Sequence, residues 1–482
     1  MMRFLLTQTD MKLTFDAGSL LLSGDTSALA ECSVENTVEH LVYDNRVDAW
    51  RAPAWTYHRV RQQLANLSAG AVTLHDDVFS TPPLRVPDQL SVTLRDYQQA
   101  AVDSWQANQQ QGLIILPTGV GKSIVAVEAI RRCSEAALIV LPTIDLMVQW
   151  ASQLEQHFQQ PIGVYGGGSK ELHPITVITY DSAVLMMEYI GDRFPLIIFD
   201  ECHHLPGAVN RQAAELSPAP YRLGLTATPE RNDNGEHLLY SLIGTEVYRR
   251  EIHEFDDGIL ARYDTQVIEV PMSAEEQATY QQNRQQYLDF IRSHRISFSS
   301  PWGWSNFLRA CAQAPDGRQV LQAFRTQKEI AAASAAKFDT LWELLNQHRG
   351  ERIIIFTALN KLAYDIGERF LLPVITHNTK AAERKRFLER FRQGEFTVLV
   401  TSKVLNEGID VPEASVGIIV SGSGSVREHV QRLGRILRPS ADKQARLYEL
   451  ISAGSSEMNI SERRRQHQAY ETQPHASEPD EC

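Results

Sequence analysis

The sequence predicts an α/β protein built around two tandem domains, each a doubly wound parallel sheet, with a small α/β domain ahead of them and a helical insertion between. Two blocks in which short apolar strands alternate with helical or loop segments predict the paired domains. The first block holds LIILP, ALIVLP, TVITY, PLIIFD and YRLGLTA; the second holds RIIIFT, PVITH, FTVLVTS, VGIIVSG and RLYELIS. The third observation is that glycines, carboxylates and hydroxyls fall just after these strands, where open α/β sheets bind ligands.

In chain order, residues 1–87 read as the small α/β domain, with alternating strands from Met11 to Leu22 and a helix around Trp55 to Leu67, ending in the proline-rich STPPLRVPD. Residues 88–250 carry the first alternating block. Residues 251–337 are rich in Gln, Arg and Ala and read as a helical, thumb-like insertion broken by SFSSPWGWSNF. Residues 338–454 carry the second block, and residues 455–482 lose apolar periodicity and are expected to form a mobile tail.

Composition narrows the class. At 482 residues and 43% hydrophobic content the chain can bury several cores. No run of 18 apolar residues and no secretory pattern is present, so a cytoplasmic protein without a membrane partner is expected. Cys32, Cys133, Cys202, Cys311 and Cys482 form no C-x-x-C pair and are expected to be reduced thiols. The net charge of −12 does not exclude nucleic acid, because counterion release depends on local Lys and Arg. Two basic runs occur: Arg384, Lys385, Arg386, Arg390 and Arg392, then Arg427, Arg432, Arg435 and Arg438. A solvated helix face is the default reading of the first.

The chemistry is concentrated in LIILPTGVGKS and PLIIFDECHH. A buried strand would anchor the loop Thr118, Gly119, Val120, Gly121, whose backbone N–H groups can close around phosphates. Beyond Ser123 a helix N-terminus adds a favourable dipole. Leu116 stands where the strict phosphate-loop pattern has its first glycine. Lys122 would reach the β and γ phosphates of a nucleoside triphosphate, Ser123 and Asp200 would hold Mg²⁺, and Glu201 would orient or deprotonate the attacking water. Cys202, beside these carboxylates, reads as a small packing residue.

The motifs around these two resemble superfamily 2 helicases, in order and throughout. LRDYQ places Arg95 and Gln98 as in the family's adenine-reading motif, which implies ATP. LTATP, with Thr226 and Thr228, resembles the motif coupling hydrolysis to strand movement. LNEGIDVP, with Gly408 and Asp410, resembles the segment contacting ribose and the DNA backbone. QRLGRILRP resembles the arginine-finger motif, with Arg435 and Arg438 three apart on a helix. His203 and Gln431 match residues that bridge the cleft in the family. GLTATPERNDN, ITHNTKAAER and LNEGIDVPEASVGIIVSGSGSVREHVQRLGRILRPS are most similar to the XPB family, in its compact archaeal and bacterial forms.

That resemblance implies two RecA-like domains forming an ATP cleft, a damage-recognition domain at the N-terminus and a thumb. It implies an ATP-dependent DNA helicase or translocase running three-prime to five-prime, acting at single-stranded/duplex junctions in DNA repair or transcription, with a structure-specific nuclease as possible partner. Two other readings stay open: a duplex translocase or remodeler that separates no strands, and an ATP-gated architectural opener serving a nuclease. After LTATP the family has an Arg-Glu-Asp wedge where this chain has Arg231, Asn232 and Asp233, which reads equally as a polar turn. Trp302, Trp304 and Phe307 either stack on bases or close a small core.

Overall fold

The computed structural model describes residues 9–24, 40–67, 72–79, 81, 84–88, 92–229, 235–251, 254–255, 262–298, 302–402, 414–422 and 444–465. Two compact units result: Met1–Leu116 with Gly121–Arg249, and Pro117–Val120 with Arg250–Cys482.

The first unit opens with β1 (Thr9–Asp16), β2 (Ser19–Gly24), β3 (Val42–Asp44), β4 (Ala49–Pro53), α1 (Tyr57–Leu67) and β5 (Val72–Asp77). These strands form a sheet in the order β3-β4-β2-β1-β5, antiparallel except where β5 joins β1 in parallel. Alternation in β1 and β2 turns Met11, Leu13, Leu20 and Leu22 inward, where Tyr57, Val60 and Leu64 of α1 cover them.

The chain continues through α2 (Asp96–Ala107), β6 (Gln111–Ile115), α3 (Lys122–Cys133), β7 (Ala137–Leu141), α4 (Ile144–Phe158), β8 (Gly163–Gly166), β9 (Ser169–Lys170), β10 (Ile175–Thr179), α5 (Tyr180–Ile190), β11 (Leu196–Asp200), α6 (Gln212–Glu215), β12 (Tyr221–Thr226), α7 (Glu236–Leu242) and β13 (Glu246–Arg249). Among the described residues the sheet order is β13-β6-β12-β11-β7-β10-β8-β9, parallel apart from the β8–β9 hairpin. The apolar runs of β7, β10 and β11 are buried along their whole length, as strands covered on both faces must be. At the amino end of β12, buried Arg222 donates to the carbonyls of Ala214, Ser217, Ala219 and Leu242.

The second unit holds β14 (Arg262–Val270), α8 (Ala274–Ser293), α9 (Gly303–Gln313), α10 (Gly317–Ala332), α11 (Ala335–Gln347), β15 (Ile353–Phe356), α12 (Asn360–Phe370), β16 (Val374–Ile375), α13 (Ala381–Gln393), β17 (Val398–Thr401), β18 (Val416–Ile419), β19 (Gln444–Ser452) and α14 (Ser456–Arg465). Its sheet, in the order β14-β19-β18-β15-β17-β16, is parallel throughout the described residues. Ile353, Ile355, Val416, Ile418 and Leu450 centre its core. On α13, Arg390 pairs with Glu395, both about half exposed, in keeping with a solvated basic face.

Two expectations about this unit are corrected. Residues 251–337 are not helical throughout: β14 is an edge strand of the parallel sheet, and the helices begin only at Ala274. The polar residues alternating through RYDTQVIEV mark it as a strand that lies at an edge. Nor is 455–482 a tail from its start, because α14 is anchored by Glu457, which accepts from buried Lys337 at 2.7 Å, and by Ser461, which donates to Glu449. Lys337 carries an ammonium with no exposure at all, so the carboxylate opposite it is needed to hold that charge.

In the helical insertion Phe307 is fully buried against Phe290, Cys311 and Val320, with Trp304 and Phe324 ringed around it, whereas Trp302 is 70% exposed. Phe307 therefore closes the small core. Phe307→Ala is expected to cost about 3–5 kcal/mol by leaving a cavity, and Trp302→Ala well under 1 kcal/mol. Thermal or urea unfolding checks both, and equal losses would contradict this packing.

Candidate active site

The parallel register of the first unit brings three strand ends together. Between β6, which leads into the glycine loop, and β11, which ends in Asp200, lies β12, which ends in Thr226. Leu116, the first residue past β6, donates its N–H to the Thr226 carbonyl at 3.0 Å, tying the loop root to the middle strand.

Left-handed backbone builds the loop. Gly119 has φ 89° and Gly121, the N-cap of α3, has φ 84°. Gln98 packs under the turn: its Oε1 accepts from Arg95 N–H at 3.0 Å and its Nε2 donates to the Gly121 carbonyl at 3.4 Å. A Cβ added to Gly121 would lie 2.7 Å from that Nε2. Lys122 Nζ donates to the Leu116 carbonyl at 3.2 Å, curling back over the loop, and half-buried Ser123 follows in the first turn of α3. The Thr118 hydroxyl is buried with no hydrogen-bond partner.

Asp200 and Glu201 occupy the tip of β11. Asp200 is 6% exposed; its Oδ1 accepts from Glu201 N–H and its Oδ2 from Trp150 Nε1, each at 3.0 Å. Burial, reinforced by the Glu201 charge and opposed by Lys122, pushes its carboxyl up to about 6. Glu201 adopts φ 47°, a conformation that costs a non-glycine residue about 1–3 kcal/mol and turns its side chain away from the strand direction. Its Oε2 is buried without a hydrogen bond and lies 3.4 Å from His203 Nδ1.

His203 joins β11 to β12. Its Nδ1 lies 3.1 Å from Thr226 Oγ1, whose hydroxyl donates to the Thr228 carbonyl while accepting from Thr228 N–H. With the Thr226 proton committed, His203 Nδ1 must be the donor. A polar chain thus runs from Glu201 through His203 and Thr226 to Thr228, all buried.

The structure therefore brings together Gln98, Gly121, Lys122, Ser123, Asp200, Glu201, His203, Thr226 and Thr228 in the first unit, and Thr118, Gly119 and Val120 immediately precede Gly121 in the chain. Arg95 begins α2 beneath the loop. Arg231, Asn232, Asp233, Gly408, Asp410, Gln431, Arg435 and Arg438 lie outside the described residues. Sequence reasoning missed Trp150 and Tyr180, whose hydroxyl donates to the Asp200 carbonyl at 3.3 Å. Both read as ordinary apolar-face residues. Among the described residues no cluster of three or more His, Cys, Asp or Glu side chains could enclose a metal, and no helix is long and apolar enough to cross a membrane. Cys133, Cys202 and Cys311 are free thiols.

The Gly121 geometry predicts a coupled effect. Gly121→Ala should destabilise by about 1–2 kcal/mol from its positive φ alone, with a further steric part that disappears when Gln98 is also alanine. A double-mutant cycle by thermal unfolding measures it; strict additivity would mean that Gln98 does not brace the loop.

Three family models match the chain. They are the Xeroderma pigmentosum group B helicase damage recognition domain over residues 13–78, the type III restriction enzyme res subunit over 91–231, and the ERCC3/RAD25/XPB C-terminal helicase over 318–473. The "DNA 3'-5' translocase XPB2" of Sulfurisphaera tokodaii is 38% identical over 88% of this chain and 96% of its own length. The "Putative DNA 3'-5' helicase Rad25" of Haloarcula marismortui is 31% identical over 81% of this chain, which spans 58% of that longer protein. The crystal structure of the Pyrococcus furiosus Hef helicase domain superposes with a TM-score of 0.52 at 20% identity, covering 77% of this chain and 98% of that domain, a likeness of fold.

Proposed function

The chain belongs to the XPB family of DNA helicases and translocases, and from that membership we propose that it hydrolyses ATP to drive three-prime to five-prime movement along DNA. The observation that carries the chemistry is that the glycine loop with Lys122 and the Asp200–Glu201 pair follow strand ends on either side of β12, with the Lys122 charge acting on Asp200.

The residues fit a magnesium–nucleotide complex. Two left-handed glycines leave room for phosphate against backbone N–H groups, and the buried, unpartnered Thr118 hydroxyl and Glu201 Oε2 are polar groups awaiting partners. Ser123 and Asp200 would hold Mg²⁺, which when bound neutralises charge on the β and γ phosphates. Lys122 would swing from the Leu116 carbonyl to those phosphates. Gln98 would read the adenine edge with Arg95 beside it. Glu201 would orient the attacking water and take its proton, with His203 3.4 Å from its Oε2 and donating through Nδ1 to Thr226, so that the acidic loop is tied to β12. Gly408 and Asp410 would contact ribose and DNA backbone, and Gln431 would serve coupling. Arg435 and Arg438 would supply the arginine finger, a device worth about 10³–10⁵ in turnover.

The name of the S. tokodaii relative and the restriction-subunit match over 91–231 favour translocation as the primary act, with strand opening as its result at a junction. The damage-recognition match over 13–78 supports a repair setting; a cytoplasmic location, and repair or transcription factors or a structure-specific nuclease as partners, are proposed with it. Strand displacement on forked duplex, run beside displacement of a third strand from intact duplex, separates unwinding from pure translocation. An opener that only clamps DNA would retain opening activity in Glu201→Gln.

Two outcomes test the site. Lys122→Ala and Glu201→Gln should each lower DNA-stimulated ATP hydrolysis by about 10²-fold or more with unfolding temperatures near the parent's; near-parent rates would refute the assigned roles. A carboxyl raised to about 6 is ionised above that pH and protonated below it, and proton and metal compete for its oxygens. ATPase activity at limiting magnesium should therefore fall as pH drops through about 6, and extra magnesium should move that limb to lower pH. A limb indifferent to magnesium would contradict it.

A further inference from the structure

Asp200 is gripped from outside its own loop. Trp150 lies on the α4 face made with Met147, Leu154 and Phe158, is 3% exposed, and donates its indole N–H to Asp200 Oδ2 at 3.0 Å. Glu201 N–H already occupies Oδ1 at the same distance. An indole can only donate, while each carboxylate oxygen accepts more than one partner. Two donors on two oxygens stop the carboxylate turning about its last bond and still leave a lone pair on each oxygen for a metal or its water.

We propose that Trp150 is a positioning residue that aims the Asp200 carboxylate at the magnesium ion, so that α4 sets the metal-holding geometry of β11. This rests on the reading of Asp200 as a magnesium holder. The hydrogen-bond partners behind metal-binding side chains fix their orientation, and losing one typically costs about 10–100-fold in metal affinity or activity. Of the donors that hold the Asp200 side chain here, the indole is the one a substitution can remove without touching the backbone.

The test is a magnesium titration of DNA-stimulated ATPase on the full chain, with binding of manganese in the presence of ADP followed by EPR as a readout independent of turnover. Trp150→Phe should raise the half-saturating magnesium and weaken manganese binding by about tenfold or more, and turnover should climb back toward the parent's as magnesium is raised. Because Phe could loosen the core, a second variant carries benzothienylalanine at position 150, which keeps the ring volume and replaces N–H by sulfur; it should reproduce the shift. Trp105→Phe is the control, since Trp105 is equally buried and donates to the Arg222 carbonyl at 2.9 Å, at the opposite end of β12. A parent-like magnesium curve for the benzothienyl variant, or the same shift in Trp105→Phe, overturns the proposal. Asp200→Asn tells the two readings apart: if its metal dependence is unchanged, the magnesium role of Asp200 falls and this inference with it. If Asp200→Asn shifts and both position-150 variants do not, the indole role alone is wrong.

Discussion

Everything described at the candidate site depends on the parallel pairing of β11 between β12 and β7. That register sets Asp200 level with Leu225 and one residue short of Thr226, and it sets the root of the glycine loop on the far side of the same strand. A slip of one residue would turn each side chain to the other face of the sheet, taking the carboxylate away from Lys122 and Trp150. The register is held by four fully buried side chains, Leu196, Ile197, Ile198 and Phe199. Their burial contributes about 6–12 kcal/mol, at the upper bound that an extended reference chain implies. Taking a carboxylate out of water costs several kcal/mol. The strand thus outweighs the charge it carries, and the site can hold Asp200 where its proton affinity is raised.

The same reasoning explains why the polar chain from Glu201 to Thr228 sits where it does. Glu201 bears a backbone conformation that L residues avoid, and the structure sustains it because the residues around it are buried and pinned: Asp200 by Trp150 and by Glu201's own N–H, and His203, two residues on, by Thr226. Within the polar chain the Thr226 hydroxyl is committed: it donates to the Thr228 carbonyl, accepts from Thr228 N–H and receives His203 Nδ1–H, which ties the loop after β11 to the end of β12.

In the second unit the comparable constraint is the buried Lys337. Its ammonium donates to the Val420 carbonyl and to Glu457, linking α11 to the loop after β18 and to α14. Glu457 also accepts from Ser452 N–H at the end of β19. The ion pair joins α14 to α11, and bonds from Ser452 N–H to Glu457 and from Ser461 to Glu449 tie α14 to β19, which is why residues that look featureless in sequence form a helix here.

The sequence by itself determined the two parallel sheets and the place of the phosphate-loop and carboxylate motifs, because both follow from local pattern: apolar runs that must be buried on both faces, and polar residues left at their ends. It also located the first two N-terminal strands and the helix, whose periods of two and three-to-four are legible without neighbours, but not β3, β4 and β5 of the same sheet. Tertiary structure alone decided which distant residues serve those motifs. Trp150 lies 50 positions from Asp200 and looks like any apolar-face residue of α4, since its single polar atom has meaning only once β11 is beside it. The same holds for Lys337 and Glu457, 120 positions apart, and for β14, whose mixed pattern becomes a strand only because β19 offers an edge. Phe307 rather than Trp302 entered the core because three helices converge there, a choice that spacing along one segment does not encode.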